Sequence, residues 1–148
     1  MGAVTYPDLD VATILNEEFV PVQVNIKDVP QLVQKYRAIW TPNLNVIDGE
    51  ENQIYRIEGW LPPSEYTPML LVAKGHFMFR AKSYDGAIPW FQSVMDRFPR
   101  SAFAPEAQYY IGVSEYMQSQ DVGRLAEAWK QLQIMYPESL WATKSMIM

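Results

Sequence analysis

The chain contains no cysteine in its 148 residues. Disulfides, thiolate nucleophiles and cysteine-based zinc sites are therefore excluded from this polypeptide. It has a single histidine, His76, too few for a histidine-built metal site, and the sequence reads it as a partly exposed helix residue. Positive charge is scarce in the first half. Residues 1–63 carry nine acidic and four basic side chains, whereas residues 64–148 balance at eight and eight, so the formal charge of −5 belongs wholly to the first half. Such a chain lacks the basic face that nucleic-acid binding requires. No apolar run is long enough to cross a bilayer, and no charged-then-apolar start reads as a signal peptide. The expectation is a cytoplasmic chain without membrane insertion.

What is present points to a packed globular protein. Hydrophobic residues make up 49 % of the chain and aromatics 14 %, enough to bury one core or two small ones. The stretch from Tyr36 to Trp60 organises the first half. Asn45–Ile47 and Gln53–Ile57 are rich in β-branched and aromatic residues and read as two strands. Asp48-Gly49 between them supplies turn chemistry, with Gly49 as the residue free to take positive φ. Pro42 fits the first position of a strand.

Upstream, Asp8 or Asp10 is placed to cap a helix running to about Phe19, with Val11, Ile14 and Leu15 on one face. Val20, Val22, Val24 and Ile26 then alternate as one side of a strand, with Pro21 suggesting an edge or late start. Asp28 is placed to cap a second helix with Pro30 in its first turn and Leu32, Val33 and Tyr36 as its apolar stripe. Ser64 is placed to cap a long helix that reaches about Lys82.

Helix, strand, helix, hairpin, helix resembles a thioredoxin-like fold that has lost its opening strand. Ala3–Asp8, Leu15–Val22, Thr41-Pro42 and Glu58–Pro63 carry the resemblance, which covers residues 1–75. It implies that Thr41-Pro42 is a cis-proline loop contacting a partner's backbone, with Trp40 beside it either an exposed contact residue or core packing. It also implies that the family's first strand and Cys-x-x-Cys motif would lie just before Met1. Without that strand, the Val20–Ile26 strand and the hairpin leave unpaired backbone groups, lined by Val22, Val24, Leu44 and Val46. A truncated chain, a strand from a partner or second copy, or closure of the existing strands would each resolve the gap.

The second half follows another pattern. Gly75, Ala87, Phe91 and Pro99 are echoed by Gly112, Trp129 and Pro137, and Phe98–Ser101 returns as Tyr136–Ser139 at a distance of 38 residues. This resembles tetratricopeptide repeats, whose usual period is about 34. Small residues permit close helix approach, an aromatic fills the space, and proline ends the second helix. The loop at Gln118–Arg124 reads as lengthened, and Ser139 as the start of a further helix. The fold expected is therefore α/β followed by all-α, an incomplete thioredoxin-like sheet and a helical array. Residues 1–75 form one domain and residues 64–148 the other, sharing the linking helix.

No catalytic constellation is visible. Glu17-Glu18 and Glu50-Glu51 are sequence neighbours and do not converge on one point. The glycines are scattered and form no phosphate loop. Tyr109 and Tyr110 read as repeat core and groove. With no cofactor implied, the expected function is a non-catalytic protein–protein interaction module. It would act through Trp40, Thr41 and Pro42 in the first half and Tyr109 and Tyr110 in the second. Its partner would be another protein or a second copy, held at the exposed sheet region and the helical groove. Two rivals stand beside it. One is a truncated thiol–disulfide oxidoreductase or redox chaperone, which would need the thiolate this chain lacks. The other is a structural subunit completed by a donated strand.

Overall fold

The computed structural model describes residues 2–147. Among them are seven α-helices and one two-stranded antiparallel sheet. In chain order these are α1 (Leu9–Glu18), α2 (Pro30–Tyr36), β1 (Asn43–Ile47), β2 (Gln53–Glu58), α3 (Pro63–Arg80), α4 (Tyr84–Arg97), α5 (Ala104–Ser119), α6 (Val122–Met135) and α7 (Leu140–Lys144), followed by a 3₁₀ turn at Ser145–Ile147. Two compact units result, one ending at Thr67 and the other beginning at Pro68. The division falls inside α3, which opens in the first unit and continues in the second.

In the first unit α1 starts where its cap chemistry dictates. Asp8 Oδ1 accepts from the N–H groups of Asp10 at 3.0 Å and Val11 at 3.2 Å, two of the donors a helix start leaves unpaired. Val11 and Ile14, one turn apart, are buried. Thr5, fully buried, donates its hydroxyl to Leu61 O at 2.7 Å, and Tyr6 meets Tyr66 edge to face at 5.7 Å.

β1 and β2 pair from Asn43↔Glu58 to Ile47↔Gln53, with an irregularity between Val46 and Ile47. The turn differs from the sequence expectation. The left-handed residue is Glu51, at φ 64°, and not Gly49. Asp48 decides this. Its Oδ1 accepts from the N–H groups of Glu50 at 2.9 Å and Asn52 at 2.8 Å, and its N–H donates to Asn52 O at 3.0 Å. That Asx-type turn holds the chain so that Glu51 absorbs the sharp bend.

The expected Val20–Ile26 strand does not form. Residues 20–25 belong to no helix or strand, and a turn follows at 26–28. β1 and β2 pair only with each other, and the segment joins neither outer edge of that two-stranded sheet. Val20 is 90 % exposed and Val22 76 %. Of the residues expected to line the gap, Val46 is buried and Leu44 half-buried. The α2 stripe is not buried either; Leu32 is exposed, and Val33 and Tyr36 are half-buried. α2 is capped by the backbone of Val29 without a side-chain bond, so Asp28 is not its cap. Likewise α3 begins at Pro63, which places Ser64 within its first turn.

The second unit is built from close helix approaches. A Cβ on Gly75 would lie 2.5 Å from the Phe91 ring, and one on Gly112 would lie 2.8 Å from Ala128 Cβ. Ala87 and Phe91 are fully buried, as are Val94 and Leu132, with Trp129 nearly so. α4 and α6 end alike. Phe98 and Tyr136 donate their N–H groups to Val94 O and Leu132 O, and the following Pro99 and Pro137 cannot continue the helix. Tyr136 also donates its hydroxyl to Pro99 O at 2.7 Å, so the two echoed segments are bonded to each other. The expected long loop at Gln118–Arg124 is absent. Gln120 takes a left-handed φ of 58° and Asp121 caps α6 through Gly123 N–H, so two residues suffice. Ser139 caps α7 through Ala142 N–H at 3.0 Å.

Candidate functional site

In the first unit the candidate residues sit at the entrance to β1. The Thr41–Pro42 peptide is cis, as the sequence reading expects. Pro42 O accepts from Gly59 N–H at 2.8 Å, which closes the open end of the hairpin. Trp40 is 68 % exposed, so of its two readings core packing is excluded. Ile39 and Trp60 are exposed as well. Single exposed apolar residues need no explanation. Here the Val20–Val24 stretch adds three exposed valines within the same unit. None of the backbone N–H or C=O groups of Val20–Val24 has a hydrogen-bond partner among the described residues.

In the second unit Tyr109 and Tyr110, neighbours on α5, anchor an aromatic network. Tyr109 stacks on Trp129 with centroids 4.8 Å apart and planes at 20°, and Trp129 Nε1 donates to Tyr109 O at 3.3 Å. Trp141 of α7 lies 5.1 Å from Tyr109 and 5.7 Å from Tyr110. Tyr110 also meets Phe79, stacks on Phe91, and contacts His76 at 4.4 Å. Burial pushes both phenols up, aided at Tyr110 by the Glu106 charge and opposed by Arg80. Both rings are half-buried.

His76 departs from its sequence reading. It is buried, and its Nε2 lies 2.8 Å from Glu106 Oε1, itself buried. The pair ties α3 to α5 across 30 residues of sequence, and no local pattern signals a link of that span. Each of the two buried groups finds a polar partner in the other, which lowers the cost of burying them. A second unforeseen feature is a cleft of about 410 Å³ in the first unit, lined by Lys35, Arg37 and Arg56 with Glu51. Three of the unit's four basic side chains gather there. Two of them are engaged, Lys35 with Glu51 and Arg56 with Glu58. Glu51 raises the Lys35 ammonium.

No group of three or more histidine, aspartate or glutamate side chains among the described residues could hold a metal ion. Among them, no helix is long and apolar enough to cross a membrane. Each set of candidate residues lies within its own unit, Trp40, Thr41 and Pro42 in the first, Tyr109 and Tyr110 in the second. Compared with protein-family models, curated proteins and solved structures, the chain matches none of them.

Proposed function

We propose that the chain is a non-catalytic protein–protein interaction module, made of a redox-silent thioredoxin-like unit and a tetratricopeptide-like helical unit. The observation that carries the reading is the Val20–Val24 stretch, solvent-exposed and without a backbone hydrogen bond among the described residues. Free N–H and C=O groups beside alternating β-branched side chains are what strand addition uses. Main-chain bonds supply affinity and the side chains supply selectivity. The Tyr109–Tyr110–Trp141 face is a second candidate surface, since half-exposed aromatics give large contact area at low entropic cost.

The absence of cysteine supports the non-catalytic half of the reading, because dithiol exchange cannot proceed without a thiolate. The purified chain should not reduce insulin disulfides above a protein-free control. Strand addition is tested by titrating the chain with a synthetic peptide of alternating valine and threonine while following backbone amide resonances. Shifts confined to residues 20–26 are expected, and they should vanish when the peptide carries proline at alternate positions. Saturating peptide that leaves these resonances unmoved would contradict the reading.

A further inference from the structure

The free stretch has limits that name its partner. Phe19, the residue closing α1, is already extended at φ −134°, ψ 162°. At the other end Asp28 N–H bonds Asn25 O at 2.9 Å and closes a turn. Between these limits lie Val20, Pro21, Val22, Gln23 and Val24, a sequence with valine at both ends and at its centre. We propose that this stretch pairs antiparallel with the same stretch of a second copy of this chain, about a two-fold axis at Val22. The proposal rests on the interaction reading above and supplies its partner.

Pro21 fixes which side of the stretch can pair. In an antiparallel ladder alternate residues aim both N–H and C=O at the same neighbour. Pro21 has no N–H, so it belongs with the residues aimed away, together with Gln23. Val20, Val22 and Val24 are then the bonding set. A two-fold axis at Val22 sets Val20 against Val24 and Val22 against itself, so each bonding residue faces another. An axis half a residue away would set valines against Pro21 and Gln23 and waste the missing donor. The same alternation puts all three valines of each copy on one face, where each pair shields apolar surface that is open in the single chain.

Sedimentation and light scattering of the full chain test the association. A species of twice the monomer mass is expected at about 100 μM, dissociating on dilution to about 1 μM. Val24→Pro deletes one partner-facing N–H per copy and should weaken the dimer about tenfold or more. Gln23→Pro deletes an N–H aimed away and should change it less than about threefold. Because the chain has no cysteine, Val22→Cys adds the only thiol. It faces its own copy within the separation a disulfide spans, so mild oxidation should link the dimer, while Gln23→Cys should link poorly. A chain that stays monomeric at about 100 μM with residues 20–24 still unprotected in hydrogen exchange overturns self-pairing and leaves the interaction reading standing. Protected amides in the monomer overturn both. Equal weakening by the two proline variants, or equal linking by the two cysteine variants, overturns the register.

Discussion

The two units spend similar apolar content in opposite ways. Among the described residues, sixteen hydrophobic side chains are buried from Met69 onward and five before it. The exposed large hydrophobics run the other way, eleven before Thr67 and eight after. In the second unit each helix offers a stripe to a neighbour, and small residues such as Gly75, Ala87 and Gly112 let the backbones come close enough to use it. In the first unit α1 and the hairpin bury Val11, Ile14, Val46 and Ile54, while the valines after α1 face water. Helices satisfy their backbone locally. A lone strand cannot, because its partner must come from elsewhere. A unit can therefore be folded in its helices and hairpin and still carry an open edge.

This contrast can be broken at its strongest point first. Phe91 is fully buried against Gly75 and His76, so Phe91→Ala should cost about 3–5 kcal/mol in denaturant unfolding followed by far-UV circular dichroism. Ala87→Leu, which adds volume where none is free, should cost about 1–3 kcal/mol. If either leaves the unfolding midpoint unchanged, the close-packed account of the second unit is wrong.

Alkaline pH probes the buried phenols. Burial raises Tyr66 in the first unit, with smaller contributions from Tyr6, and burial raises Tyr109, Tyr110 and Tyr136 in the second. A raised folded value means the folded state holds protons that the unfolded chain releases above about pH 10. Stability should be full below that pH and fall as pH rises beyond it. Tyr66→Phe should flatten the fall, and a melting temperature constant from pH 8 to 11 would contradict the burial of these hydroxyls. The smallest effect sharpens the comparison most. Val20→Thr and Val22→Thr alter exposed side chains, so each should shift stability by less than about 0.5 kcal/mol in the same unfolding assay.

Much of this was legible in the sequence, and the reasons are local. Asp8 before Val11 and Ile14 marks α1, Ser139 marks α7, and Pro99 and Pro137 fix the ends of α4 and α6, because caps and breakers act within one turn of the residue that carries them. The spacing of Gly75, Ala87 and Phe91, with Gly112 and Trp129, gave the close contacts of the second unit. What the sequence could not reveal is decided at a distance. Alternation at Val20–Ile26 reads as a strand, but a strand exists only beside another, and the segment lies against neither β1 nor β2 in the sheet. His76 reads as partly exposed in sequence because its partner Glu106 lies 30 residues away. The hairpin differs for a local reason: Gly49 is the residue free to take positive φ, but the Asp48 carboxylate, bonded to Glu50 and Asn52 N–H, gives that role to Glu51. Of the candidate site, the half-burial of Tyr109 and Tyr110 follows from their position on α5, whereas Trp40 lies between α2 and β1, where no periodicity decides its exposure. The cleft of Lys35, Arg37 and Arg56 joins the end of α2 to the hairpin and leaves no sequence signal.

Hydrogen exchange of the isolated chain at low micromolar concentration tests the central claim most directly. Amide protection should be strong through α4 and α5, where helix bonds are covered by packing, and present across β1 and β2. From Val20 to Val24 the amides should exchange at the rate of an unstructured peptide. Slow exchange in that stretch, in a chain verified as monomeric, would mean its backbone groups are already paired, and the account of an open edge awaiting a partner would be contradicted.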